Sequence, residues 1–245
     1  MTPIILIPAR LGSTRLPGKV LADIAGLPMI AHVLKRGQEA GLGPVAVACC
    51  EPEVAAAVEK HGGIAILTDP ALPSGSDRIH AALDQLDPTG RHNVVINLQG
   101  DLPSIDPSYL AKVLRPLAQG FDIGTLVAPI NSDDEARSPS VVKCVCAFED
   151  DAKVAPALYF SRNPVPSGAG PLWHHIGIYA YRREALGRFV ALPPSPLEKR
   201  ERLEQLRALE AGMRIGAARV AGAPFGVDTP ADLAHARELL GGAKE

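Results

Sequence analysis

The sequence predicts an α/β protein, with a Rossmann-like, mostly parallel sheet flanked by helices and a smaller region of mixed strands. Three observations carry this expectation. Short apolar runs alternate with segments of helical period through the first part of the chain. Charged, glycine-containing loops follow directly on apolar runs, and open α/β sheets bind their ligands beyond strand ends of this kind. From Asp122 to Arg182 extended segments predominate, the first two with no helix between them.

The run PIILIP is short, wholly apolar and ends at a cationic loop, so it reads as a fully buried strand. MIAHVLKRGQEAG has helical spacing at Ile30, Val33 and Leu34 and stops at Gly41. PVAVACC is the next strand. EPEVAAAVEKHGG is a helix with Pro52 in its first turn and Gly62 and Gly63 behind it. IAILT, SDRIHAALDQL and NVVINLQ continue as strand, helix and strand, and the last ends at GDLPSID. Strands separated by helices pair in parallel through right-handed crossovers.

DIGTLVAPI, SVVKCVCAFED, ALYFSR and WHHIGIYAYR read as extended, which predicts mixed or antiparallel pairing. SPLEKRERLEQLRALEAG is expected as one continuous helix with Leu203, Leu206 and Leu209 as its apolar stripe. RIGAARV is a last strand. GVDTPADLAHARELL is a last helix, capped by Asp228 or Thr229. NPVPSGAGP reads as an exposed loop.

The whole chain, 245 residues, suits one large domain. A formal net charge of −2, with 47% hydrophobic and 21% charged residues, gives no reason to expect nucleic-acid or membrane binding through bulk charge. No run is long enough to span a bilayer, and the N-terminal stretch lacks the cationic start of a secretory signal, so a cytoplasmic location is expected. Cys49, Cys50, Cys144 and Cys146 read as reduced, small strand residues, with no histidine at ligand spacing beside either pair.

Four groups of residues point to chemistry. In ARLGSTRLPGK, Arg10, Arg15 and Lys19 surround Gly12, Ser13, Thr14 and Gly18. Glycine lets backbone N–H groups approach an anion, hydroxyls donate, a guanidinium forks onto phosphate and an ammonium acts as a point charge. That combination predicts a polyphosphate cradle. Neither GxxxxGK[ST] nor GxGxxG occurs there, and a dinucleotide needs mainly backbone N–H groups, which disfavours an NAD-dependent dehydrogenase.

The second group, QGD, puts Asp101 at the end of a buried strand. Such a carboxylate suits a hard cation, for which Asp228 is the natural second ligand, since Mg²⁺ takes one or two carboxylates plus substrate phosphates. On the residues alone, a turn or cap role accounts for Asp101 as well as metal binding does, and for Asp228 it accounts better. The third group, SGSDR, offers Ser74, Gly75 and Arg78 at the start of a helix, a common loop type. In the fourth, His175, Tyr179 and Tyr181 share strand parity and can project together toward a polyhydroxylated acid. They equally suit a half-buried strand.

Taken together, IPARLGSTRLPGK, GLPMIAHV, SGSDR, NLQGDLP, ALYFSR, HHIGIYAYR, SPLE, LEQLRALE and GVDTPADL resemble, in order, the 3-deoxy-manno-octulosonate cytidylyltransferase (CMP-Kdo synthetase) family. The likeness runs from near Ile4 to near Leu233. It implies transfer of CMP from CTP to the anomeric hydroxyl of 3-deoxy-D-manno-octulosonate (Kdo), with release of pyrophosphate, for lipopolysaccharide biosynthesis. The resemblance assigns Arg10, Ser13, Arg15 and Lys19 to the phosphates, and Asp101 and Asp228 to Mg²⁺. Ser74, Gly75, Arg78 and Gln99 would border the nucleotide. Arg162, His175, Tyr179, Glu204 and Gln205 would line the sugar-acid site.

It further implies a homodimer, with a dimerisation and sugar-binding sub-region at about 132–195 inside a single domain over 1–245. The chain departs from the family pattern at Ala48-Cys49-Cys50, where members commonly read ATD, and at Leu102, where QGDEP is usual. The loop between Arg162 and His175 is also short. Kdo, its 8-amino analogue and a sialic acid are alternative sugar acids, and a catalytically silent CTP-binding module is the alternative of another class.

Overall fold

The computed structural model describes residues 1–13 and 15–242. The chain divides into two compact units, residues 1–110 with 224–245 and residues 111–223.

The first unit is built on a parallel sheet. β1 (Pro3–Pro8) is followed by a hairpin of β2 (Asp23–Ile24) and β3 (Leu27–Pro28), then α1 (Met29–Glu39), β4 (Val45–Cys49), α2 (Pro52–Lys60), β5 (Ile64–Leu67), α3 (Gly75–Leu86), β6 (Val94–Asn97) and α4 (Ser108–Lys112), within which the unit boundary falls. β1 pairs in parallel with β4 (Ile5 opposite Val45) and with β6 (Pro3 opposite Val94), and β5 extends the sheet beyond β4. Ile4 to Ile7 and Val94 to Ile96 are buried, as expected of strands covered on both faces.

The chain therefore travels outward from β1 through β4 to β5 and returns to the other side of β1 for β6. That reversal brings the loops after β1 and β6 side by side, at the switch point where doubly wound sheets bind ligands. Close approach there depends on Gly100, where a Cβ would come within 2.9 Å of the Pro8 carbonyl oxygen. α1 ends just before Gly41, which takes a φ of +64°.

The second unit is mixed. It contains α5 (Arg115–Ala118), β7 (Ile123–Pro129), α6 (Asp133–Arg137), β8 (Lys143–Val145), β9 (Val154–Pro156), β10 (Tyr159–Ser161), β11 (Trp173–Arg182), α7 (Arg183–Val190), α8 (Pro196–Glu201), α9 (Leu206–Glu210) and β12 (Ile215–Arg219). β7 pairs antiparallel with β11 and parallel with β12, β12 pairs antiparallel with β9, and β8 pairs antiparallel with β10 and β11. The chain then returns to the first unit for α10 (Pro230–Gly241). Thr229, not Asp228, caps α10: its hydroxyl accepts from the Asp232 N–H in a capping box.

Three expectations are corrected. A short helix, α6, stands between β7 and β8 where none was expected, because the Ser132 hydroxyl caps it by accepting the Glu135 N–H. The continuous helix over SPLEKRERLEQLRALEAG is broken into α8 and α9. Arg202 takes a left-handed φ of +56°, and the Arg162 guanidinium binds the carbonyls of Glu201 and Arg202 that open at the break. Leu203 and Leu206 are buried, while Leu209 is only half-buried. In SVVKCVCAFED only Lys143–Val145 is strand. Lys143 is wholly buried there, and its ammonium donates to the carbonyls of Ser138, Val141 and Arg162 at 2.8, 2.7 and 2.8 Å.

Candidate active site

The first unit carries a cleft of about 350 Å³ at the carboxyl ends of β1 and β6. Arg10, Ser13, Arg15, Lys19, Ser74, Gly75, Arg78, Gln99, Asp101 and Asp228 all line it. These are the residues expected at the phosphates, the nucleotide border and the metal, drawn from four separate stretches of sequence. Thr14, a further hydroxyl expected in the cradle, lies outside the described residues.

The loop after β1 folds on itself, with Ser13 and Gly18 both donating N–H bonds to the Leu11 carbonyl. Gly18 holds a φ of +69° at the start of the turn that carries Lys19. The loop is also tied to β4 through a residue that sequence reasoning missed. The Glu51 carboxylate, following Cys49 and Cys50, accepts the Leu11 N–H at 2.9 Å. Glu51 sits at the N-cap of α2, and that position was its only sequence signal.

Lys19 is the most constrained cation of the cleft. Its ammonium donates to Asp101 Oδ2 at 2.8 Å, Asp228 Oδ1 at 2.9 Å and the Val227 carbonyl at 3.0 Å, so all of its donors are engaged. Burial works to lower its pKa, but the two carboxylates outweigh that and hold it above the ordinary lysine value. Arg15, largely exposed, reaches the same Asp228 Oδ1 at 3.0 Å.

Backbone contacts explain why two carboxylates so distant in sequence meet. Val227 N–H donates to the Asp101 carbonyl at 2.9 Å, and the Asp232 carboxylate accepts the N–H groups of Asp228 and Thr229 at 3.0 and 2.8 Å. Leu102, replacing an acidic residue of the family pattern, is buried and packs beside Gly226.

Arg78 is nearly buried, and its guanidinium donates to the Thr68 hydroxyl at 2.6 Å. Ser74 caps α3, accepting the N–H groups of Ser76 and Asp77. Cys49 is buried on β4, where burial first and then Glu51 push its thiol up to about 11, an unreactive state.

Two oxygens from different carboxylates, both partly exposed and converging on one cationic centre, form a hard-ligand pair of the kind Mg²⁺ uses together with substrate phosphates. The residues fit such an ion. Among the described residues no cluster of three or more His, Cys, Asp or Glu side chains offers a complete protein cage.

The second unit holds the residues expected at the sugar acid. β11 carries a register shift between Ile176 and Tyr179, and its aromatic side chains form a ladder. Phe160 to His175, His175 to Tyr179, Tyr179 to Tyr181 and Tyr181 to Phe189 have ring centroids 4.7, 5.5, 5.8 and 5.9 Å apart. Tyr181 is therefore core, whereas Tyr179 stays half-buried.

His175 Nε2 lies 3.1 Å from the Thr125 hydroxyl oxygen, whose single proton is shared between the Ile176 and Ile178 carbonyls at 3.1 and 2.9 Å. Burial, then neighbouring His174, lowers the His175 pKa to about 3. His175, expected at the sugar-acid site, is a neutral imidazole because the core desolvates its charged form. Burial first, then Tyr181 and Glu204, raises the Tyr179 phenol well above its ordinary value, so it remains a hydroxyl donor.

Gln205 is buried, and its Nε2 has no hydrogen-bond partner within the described protein. Glu204 lies 3.7 Å from Arg207, whose guanidinium forks onto Glu198 at 2.6 and 2.8 Å. Arg162 is committed to carbonyls of Pro139, Glu201 and Arg202, with its backbone N–H on Glu201. It acts as a pin between loops in this state.

Comparison with known proteins agrees with this geometry. A family model described as cytidylyltransferase matches residues 4–215. A 3-deoxy-manno-octulosonate cytidylyltransferase of Paramagnetospirillum magneticum is 58% identical over 98% of each chain. One of Methylobacterium nodulans is 60% identical over 97% of this chain and 96% of its own. The chain belongs to the 3-deoxy-manno-octulosonate cytidylyltransferase family.

A solved CMP:2-keto-3-deoxy-manno-octonic acid synthetase, complexed with CTP, is similar at a TM-score of 0.88 and 41% identity, covering 98% of both chains. A cytidylyltransferase of Leptospira borgpetersenii shares the fold at a TM-score of 0.62 and 15% identity. The Rossmann-like architecture expected from strand and helix alternation is thus the architecture of cytidylyltransferases. Among the described residues, no helix is long and apolar enough to cross a membrane.

Proposed function

We propose that the protein transfers CMP from CTP to the anomeric hydroxyl of Kdo, giving CMP-Kdo and pyrophosphate. The observation that carries this reading is the single cleft in which Arg10, Arg15 and Lys19 stand beside the Asp101–Asp228 pair. Identity of 58% to 60% with relatives named for this activity supports it.

Phosphoryl transfer of this kind asks chiefly for positioning and charge stabilisation. The anomeric hydroxyl oxygen bonds to the α-phosphorus and its proton passes to solvent, while the bond from the α-phosphorus to the bridging oxygen breaks and pyrophosphate leaves with that electron pair. Arg10, Arg15, Lys19 and Ser13 supply donors around the phosphates, and charge-assisted bonds strengthen as charge gathers on the leaving group. Asp101 and Asp228 would hold Mg²⁺, which when bound neutralises and polarises phosphate oxygens. Ser74, Gly75, Arg78 and Gln99 border the nucleotide.

For the sugar acid, the unpartnered Gln205 amide, Glu204, the Tyr179 hydroxyl and neutral His175 offer hydrogen bonds suited to hydroxyls. A site of this kind discriminates by leaving its buried polar groups unpaired against the wrong substrate. Arg162 would contribute by fixing the loops around this region, and its charge by attracting a carboxylate. The protein would act in the cytoplasm as a homodimer and supply activated Kdo for lipopolysaccharide assembly.

The test is pyrophosphate release with CTP, UTP, ATP and GTP against Kdo, 8-amino-Kdo and a sialic acid, with Mg²⁺ and with excess chelator. Turnover of CTP with Kdo alone is the expected result. Preference for another sugar acid would move the assignment within the family, and tight CTP binding without pyrophosphate release would mean a silent binding module.

A further inference from the structure

We propose that Lys19 is a resident counter-cation of the Asp101–Asp228 pair, and that it makes metal binding depend on nucleotide binding. This rests on the reading of the two aspartates as the metal ligands.

The argument starts from the ammonium. All of its donors are taken, two by the carboxylates and one by the Val227 carbonyl, and its side chain is only 12% exposed while the aspartates are 31% and 38% exposed. The Val227–Asp101 backbone bond and the Asp232 clamp hold the two aspartates near each other whatever the charge between them. Two carboxylates so held repel unless a cation lies between them. Lys19 is that cation.

A divalent ion bound by the same two oxygens would require them at about 2.0–2.1 Å. Lys19 Nζ already stands 2.8 and 2.9 Å from those atoms, so the ion and the ammonium compete for one position. Without a polyanion, displacement would cost Lys19 three hydrogen bonds and leave a charged group without its counter-ions. A nucleotide triphosphate changes this balance. Its oxygens give Lys19 a new partner, and Arg15, on the same Asp228 oxygen, can follow.

Metal and nucleotide should then favour each other by one common factor, as linkage requires. Part of that coupling would reside in Lys19 itself, beyond the direct attraction of metal for phosphate.

The experiment measures Mn²⁺ binding to the nucleotide-free protein by loss of the free-ion electron paramagnetic resonance signal. Wild type is compared with Lys19→Met and Lys19→Gln, each checked for wild-type circular dichroism. Both variants should bind Mn²⁺ more tightly than wild type, by about 5- to 150-fold, the usual range of coupling. Adding Asp101→Asn to Lys19→Met should remove the gain.

Mn²⁺ binding that is unchanged or weaker in both folded variants would overturn the counter-cation role. A separate assay decides the underlying reading. If Asp101→Asn alone abolishes metal-dependent turnover, the aspartates remain the metal ligands and only the role of Lys19 falls. If Asp101→Asn turns over as wild type does, both fall.

Discussion

Acid should weaken this fold through His175, and the size of the effect follows from its surroundings. The imidazole is buried between Phe160 and Tyr179, with Thr125 as its hydrogen-bond partner, and its pKa is lowered from an ordinary 6.5 to about 3. Between those values the unfolded chain binds a proton that the folded chain does not. Stability therefore rises with pH across this window, is fully present above pH 6.5, and is lost as pH falls toward 3. The slope approaches about 1.4 kcal/mol per pH unit once the unfolded imidazole is charged, so going from pH 7 to pH 5 should cost about 2 kcal/mol.

The perturbation is His175→Phe, which keeps an aromatic ring against Phe160 and Tyr179 and removes the titration. Thr125 retains the Ile176 and Ile178 carbonyls. Urea unfolding by circular dichroism at several pH values between 5 and 7 gives both curves. His174, also lowered by burial against the opposing pull of Glu135, titrates in both proteins, so the difference between them isolates His175. Asp87, Glu198 and Asp232 are held below the carboxylate range by hydrogen bonds that outweigh burial, and they contribute at lower pH. Wild type should lose about 2 kcal/mol more than the variant over this interval. Parallel curves would refute the account of His175 as a desolvated neutral base.

Other outcomes follow from the two sites. Lys19→Ala and Arg15→Ala should each lower kcat/KM at least about a hundredfold with the fold intact, because each removes charge-assisted bonds to phosphates; near-normal pyrophosphate release by both would return the loop to an ordinary turn. Activity should require Mg²⁺ and be lost in Asp101→Asn, since the amide keeps the shape but not the charge, and full turnover in excess chelator would remove the metal assignment. Glu204→Ala and Gln205→Ala should raise KM for the sugar acid by about 10- to 100-fold while calorimetric CTP binding stays unchanged, and equal losses in both would place them in support of the fold or the nucleotide. Arg207→Met should cost about 3–5 kcal/mol in urea, because it strands the part-buried Glu198 carboxylate and removes the cation held 5.3 Å over Phe189; a loss below about 1 kcal/mol would show that water replaces the pair.

The parallel sheet was legible because β1, β4 and β6 are buried on both faces and read as unbroken apolar runs, with helices between the strands that fix parallel pairing. The cationic loop was legible because strand-end position and residue chemistry agree at Arg10, Arg15 and Lys19. Local turn chemistry also announced the end of α1 at Gly41.

What depended on distance in sequence was not legible. Strand-end position and the family resemblance paired Asp228 with Asp101, but nothing local indicates the contact that brings them together, the Val227 N–H donating to the Asp101 carbonyl. The break at Arg202 escaped a leucine pattern of helical period, because the carbonyls it opens are satisfied by Arg162, 40 residues earlier. The charge state of His175 was not legible for the same reason. A sequence specifies an imidazole, but only the packing of Phe160, Thr125 and Tyr179 around it decides whether water can stabilise its proton. Lys19 shows the division within one residue: the sequence determined that a cation stands at the end of β1, and the tertiary structure decided that two carboxylates, 82 and 209 positions away, hold it.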